Sequence, residues 1–314
     1  MEDIKIERYN PGFKEVWNDF VESSKNGTFL FNREYMDYHS HRFQDNSFLI
    51  YRKGKLYCLL PANRKKDVLY SHQGLTYGGL IMNDACTSVG ILEVFDILIQ
   101  ELNNTGIKKL IYKPVPYIYH RYPSQEDLYA LFRHNAKLVV RNISSAIFQP
   151  ASIKFSTLRN RMVKKGKSLG MEVHESNDLK EYWEILTNNL SERYKTKPVH
   201  SLEEIESLHN KFPNQIKLYT AIKGEEMLGG VVCYIEKKVV HIQYISASKE
   251  GKESGALDCI FYELINKYNS IPYFDFGISN EDGGRYLNEN LIHQKEGFGA
   301  RGVCYDTWEL EIGN

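Results

Sequence analysis

The chain predicts an α/β (α+β) fold in two tandem domains, each a mixed, mostly antiparallel twisted sheet flanked by helices. Three observations carry that expectation. At 314 residues the chain is long enough for two domains, each with its own core. Residues 47–113 and 216–277 present the same succession of elements: strand, charged turn, strand, two-lysine turn, strand, glycine-bearing stretch, helix, strand. The apolar spacing alternates in the predicted strands and follows i, i+3, i+4 in the predicted helices. A repeat of about 60 residues that occurs twice is a domain duplication; solenoid units run to about 20–50 residues and come in larger numbers.

The elements follow in order. Phe13, Val16, Trp17, Phe20 and Val21 recur at helical spacing within Pro11–Ser24, and a second short helix is expected over 33–39. Strands are expected over 48–51, 56–61 and 68–73, with Lys53-Gly54-Lys55 and Lys65-Lys66 at the turns. Ile91, Val94, Phe95, Leu98 and Leu102 define one face of a helix over 89–102, and a strand over 109–113 follows. Ser124, followed by Glu126 and Asp127, starts another helix, because acidic groups favour a first turn. A strand over 137–142 closes the first domain, taken as residues 1–150; the second is taken as 151–314. A basic helix over 155–170 opens that second domain, with Arg159, Arg161, Lys164, Lys165 and Lys167 between Ser156 and Gly170. Leu179, Tyr182, Trp183, Leu186 and Leu190 stripe the helix over 178–194, and Ser201 with Glu204 forms a capping-box pattern for the next. The second repeat then runs to Phe276, and a strand over 302–312 ends the chain.

Composition narrows the partners. Forty basic and forty acidic residues give no net charge, so no general attraction to DNA or to an anionic membrane is expected. The five cysteines lack CxxC or Cys/His spacing, which predicts neither a disulfide framework nor structural zinc. His39-Ser40-His41 is too closely spaced for a helical metal pair, and no metal is expected. The first ten residues are polar and no apolar run reaches the ~18 residues of a membrane span, so a cytoplasmic, soluble protein without a transmembrane segment is expected.

The chemistry is expected in the second repeat. The strand over 239–248 is read as alternating, with Val240, Ile242 and Tyr244 on one face and His241 and Gln243 on the other. It leads into a glycine-bearing loop and a helix over 255–268, whose N-terminal N–H groups and dipole suit a phosphate. This order of elements resembles the GNAT acyltransferase fold. In that family the loop carries Gln/Arg-x-x-Gly-x-Gly/Ala and holds the pyrophosphate of acyl-CoA. The matching hexapeptide is Gly251-Lys252-Glu253-Ser254-Gly255-Ala256, where Ala256 keeps the last position and Gly251 and Ser254 differ from the first and fourth. The run Tyr273-Phe274-Asp275-Phe276-Gly277, followed by Lys295-Glu296-Gly297-Phe298-Gly299, resembles the FDFG…K-x-x-FG pattern of the Fem peptidoglycan aminoacyltransferases, which are tandem GNAT domains. The basic stretch Ser156–Gly170 is similar to the segment linking the two domains in that family.

The resemblance implies an N-acyltransferase that passes an acyl group directly to an amine, with no covalent enzyme intermediate. The donor would lie along Tyr244, Ile245, Ser246, Ala247 and Ser248, with Gly251, Lys252, Ser254, Gly255 and Ala256 at its phosphates. Lys295 would support the oxyanion, His241 could take the amine proton, and Tyr286 could donate one. Gln243, Asp275, Arg285, Arg159 and Lys164 are candidates for the acceptor. Acyl-CoA (acetyl-CoA) is the expected donor co-substrate and a small amine or cell-envelope precursor the expected acceptor. Aminoacyl-tRNA is the alternative donor, and a non-catalytic binding protein with two decayed domains is the third reading. The first copy has Thr87-Ser88-Val89-Gly90 where the second has its glycine turn, so the first is expected to serve as a wall of the acceptor cleft.

Overall fold

The computed structural model describes residues 4–313. The chain divides into two compact units. One holds the chain up to Ile143, Asp282–Arg285 and the segment from Cys304 on; the other holds Ser144–Glu281 and Tyr286–Val303.

In the first unit, Ile4–Arg8, Phe48–Arg52, Lys55–Leu60 and Ile81–Met82 form an antiparallel sheet. The strand Ile4–Arg8 was not expected from the sequence; pairing with Phe48–Arg52 and the packing of Ile4 and Ile6 on the core stabilise so short and half-exposed a segment. Lys53 and Gly54 both take positive φ, which matches the twist of a tight hairpin. The helix Ser88–Asn104 starts at Thr87, whose hydroxyl accepts the Gly90 N–H, and buries the five apolar residues its spacing predicts. Each such side chain contributes about 1.5–3 kcal/mol on burial. That helix joins Val68–Tyr70 to Lys109–Tyr112, which pair in parallel.

The second unit repeats this crossover. The helix Ala256–Lys267 joins Val239–Ala247 to Tyr273–Ile278, again in parallel. Glu172–Ser176, Ile216–Lys223 and Glu226–Ile235 extend the sheet antiparallel on one side, and Ser144–Phe148 pairs with Tyr273–Ile278 on the other. The strand over 137–142 predicted from sequence therefore runs on to Phe148, because Ser144–Ile147 are buried and find a partner in the second unit's own sheet. Ile260, Phe261 and Leu264 of the crossover helix pack on Val240, Ile242, Phe274 and Phe276 as the core. Gly230 lets the helix Leu179–Tyr194 approach closely, since a Cβ there would stand 2.5 Å from the Tyr182 ring.

The strand Val239–Ala247 does not alternate throughout. Its register against Glu226–Ile235 shifts between Val232 and Cys233, which face Tyr244 and Ile242, so Gln243 is an extra residue. A bulge of this kind reverses the faces beyond it. Tyr244 therefore turns away from Val240 and Ile242 to meet Trp183, at 5.0 Å between ring centroids, and Ile245 takes the core-facing place. Among the described residues, no helix is long and apolar enough to cross a membrane.

The capping box at Ser201 is formed in full: its hydroxyl accepts the Glu204 N–H at 3.2 Å, and the Glu204 carboxylate accepts the Ser201 N–H at 2.9 Å. Replacing Ser201 with Ala is expected to lower unfolding free energy by about 1 kcal/mol, measured by urea denaturation; no change would mean that the cap is redundant.

Candidate active site

The site begins where two strands part. Val239–Ala247 and Tyr273–Ile278 pair at Val239–Tyr273, Val240–Phe274 and His241–Asp275, and no further. The second strand bends away because its register against Ser144–Phe148 shifts between Asp275 and Ile278. Gly277 has φ +77°, a left-handed conformation that glycine adopts without steric cost. This explains the Asp-Phe-Gly run in physical terms: Phe276 fills the core, Gly277 makes the bend, and Asp275 anchors it. The Asp275 carboxylate is fully buried and accepts the Gly277 N–H at 3.2 Å, the Ser144 hydroxyl, and a bond from His241 Nδ1 at 2.9 Å.

Lys295 closes the bend from the other side. It lies near the end of the helix Glu289–Glu296 and is 4 % exposed. Its Nζ donates to the carbonyls of Gly277 and Ile278, each at 2.8 Å. Burial lowers its pKa to about 8, against the opposing charge of Asp275. An ammonium has three donors, and these carbonyls take two.

A cavity of about 600 Å³ opens beside the fork, wholly within the second unit. Ile245, Ser246 and Ala247 form one wall, Phe276 and Lys295 another, and Arg159 and Asp258 a third. Arg159 donates to Asp258 at 2.8 Å and lies over the Phe298 ring at 5.5 Å. Burial raises the Asp258 pKa to about 6, although Arg159 opposes the shift. Asn189, which sequence reading missed, holds the strand end: its Nδ2 donates to the Ala247 carbonyl at 2.8 Å and the Ser246 hydroxyl at 2.7 Å, and its Oδ1 accepts from Lys252. Its signal was a polar residue on the rim of the apolar stripe, between Leu186 and Leu190.

The stretch expected as an open glycine loop is instead a short helix, Lys249–Ser254. Ser248 caps it by accepting the Gly251 N–H at 3.0 Å, and Gly255, at φ +87°, ends it. Gly251 and Lys252 line the cavity, but Ser248, Ser254, Gly255 and Ala256 do not. A Cβ on Gly255 would stand 2.6 Å from the Met162 carbonyl, and Ala256 is buried in the core, so both serve packing. Tyr244 is also outside the cavity; its hydroxyl bonds His200, and burial raises its pKa to about 12. Gln243 is the half-buried bulge residue. Lys164, Arg285 and Tyr286 are exposed. Among the described residues, no group of three metal-ligating side chains converges.

Residues 154–286 match the family model described as an Acetyltransferase (GNAT) domain. Residues 154–286 thus carry a GNAT domain, the domain of N-acyltransferases, and likenesses to solved structures extend the fold, but not the family match, to the whole chain. FemX superposes with a TM-score of 0.70 at 12 % identity, covering 98 % of this chain and 97 % of its own. The C-terminal domain of a putative lysylphosphatidylglycerol synthetase from Agrobacterium fabrum gives 0.65 at 10 % identity, with 97 % and 93 % covered. A tandem GNAT protein from the clavulanic acid biosynthesis pathway gives 0.52 at 8 % identity, with 99 % of each chain covered. No curated protein matches in sequence. The tandem fold expected from the duplication is thus the fold of these proteins.

Removing Arg159 leaves Asp258 buried without its cation. Arg159→Met is expected to cost about 3 kcal/mol of stability at pH 7 and less at pH 5, where Asp258 is protonated, as read by denaturation at the two pH values. An equal cost at both would show that Arg159 acts only through packing.

Proposed function

We propose that this chain transfers an acyl group to an amine at the fork of the second unit, with Lys295 stabilising the oxyanion of the tetrahedral intermediate. The observation that carries the reading is the Lys295 ammonium, buried at the edge of the cavity and fixed by two backbone carbonyls. A cation held in a water-poor site needs no reorganisation as negative charge develops, which is the main source of such stabilisation. The strand edge beyond His241, left unpaired by Tyr273–Ile278, supplies backbone N–H groups along which the donor carbonyl can lie.

Acyl-CoA is the general donor of the family, but one feature favours an aminoacyl ester, as on aminoacyl-tRNA. One N–H of the helix start that would hold a pyrophosphate is already taken. Ser248 accepts the Gly251 N–H, and Glu250, paired with Lys223, places a carboxylate in the first turn. Exposed Arg161 and Lys164, on the helix that sends Arg159 to the cavity, offer contacts to an RNA backbone instead. The lysylphosphatidylglycerol synthetase is named for attaching an aminoacyl group, which accords with this donor class. The acceptor that fits this reading is the amine of a cell-envelope precursor.

A thermal-shift panel with CoA and acetyl-CoA, alongside filter retention of aminoacyl-tRNA, separates the donors. Retention of charged tRNA without a CoA shift is expected. A CoA shift abolished by Lys252→Glu would contradict the choice of donor, and silence in both assays would leave a binding protein. Turnover is also expected to fall as pH rises through about 8, where Lys295 loses its proton. Lowering the pH from that point restores the charge and the rate. A rate that is flat between pH 7 and 9, after correction for donor hydrolysis, would remove the Lys295 charge from the mechanism.

A further inference from the structure

We infer that His241 is the general base for the attacking amine and that Asp275 and Ser144 position it, a role that rests on the acyl-transfer reading above. His241 and Asp275 are the last paired residues before the fork. The imidazole Nδ1 meets Asp275 Oδ2 at 2.9 Å, while Oδ1 is occupied by the Ser144 hydroxyl and the Gly277 N–H. A buried carboxylate so anchored can only accept from the ring, so Nδ1 carries the proton and Nε2 presents its lone pair. Val240 and Ile242 pack into the core on the face of the cavity-lining Phe261 and Phe276, and His241, between them on the strand, points to the opposite face.

Gly277 links this base to the oxyanion cation. A Cβ at Gly277 would lie 3.5 Å from His241 Cε1, and the Gly277 carbonyl is one of the two that hold Lys295. Asp275 is the charged group that His241 meets directly, and Lys295 holds the same turn through its carbonyls. In the step, the amine nitrogen bonds the acyl carbon and the carbonyl π pair moves to the oxygen beside Lys295. His241 Nε2 takes the amine proton. The intermediate then expels the donor's oxygen (or sulfur), and the imidazolium returns that proton to the leaving group. The mass and charge balance without a further reactant.

His241→Gln is expected to lower the single-turnover rate about 10²–10⁴-fold, change donor affinity less than twofold, and regain rate with added imidazole. An unchanged rate would overturn the assignment. If Lys295→Gln is also without effect, the acyl-transfer reading fails; if Lys295→Gln is impaired and His241→Gln is not, only this inference fails. Ring ¹⁵N spectra of the wild-type protein give a test independent of variant folding: the Nδ1–H tautomer is expected for His241, and an Nε2–H tautomer would contradict it.

Discussion

The bend at Gly277 is the constraint on which the candidate site depends. Without it, Tyr273–Ile278 would continue alongside Val239–Ala247 and the strand edge would be closed by ladder hydrogen bonds. One residue at positive φ diverts the strand. The exposed peptide groups then require partners, and the chain supplies them from both sides: Asp275 takes the Gly277 N–H, and Lys295 takes the Gly277 and Ile278 carbonyls. The same two charged groups that satisfy the bend are those to which the proposed chemistry is assigned. A buried Lys costs desolvation energy, and its depressed pKa is consistent with that cost. The two carbonyl bonds fix its position while leaving a donor for a ligand.

The two repeats show what distinguishes a folded crossover from a site. Both join parallel strands through an amphipathic helix. In the first, Tyr112, on the strand Lys109–Tyr112, is buried and its hydroxyl bonds the Leu80 N–H and the Asp127 carboxylate, an arrangement that fills the core. In the second, the corresponding strand bends and carries its buried carboxylate to His241. The difference lies in few residues, and the surrounding core is of ordinary apolar kind in each.

Much of this was legible in the sequence. Helical stripes, the Ser201 capping box and the duplicated order of elements depend on local spacing, which sequence reports directly. The positions of Lys295 and Asp275 came from short motifs whose glycine has a backbone reason. The rest depends on pairing between distant segments. The bulge at Gln243 moves Tyr244 to the other face, and nothing within the strand itself marks it; only alignment with Val232 and Cys233 does. The helix Lys249–Ser254 has its signals, Ser248 before it and Gly255 after it, but the same residues also fit a phosphate loop. Asn189 could not be assigned to the strand end until the fold placed its helix there.

The account turns on Lys295 acting in the transition state and not merely in binding. The most direct measurement is single-turnover acyl transfer at saturating donor for wild type and Lys295→Gln, with donor affinity measured in parallel. Loss of one oxyanion donor costs about 10²–10³ in rate, so a fall of that size with donor affinity nearly unchanged is the predicted result. A variant that transfers at the wild-type rate, or loses only donor affinity, would contradict it.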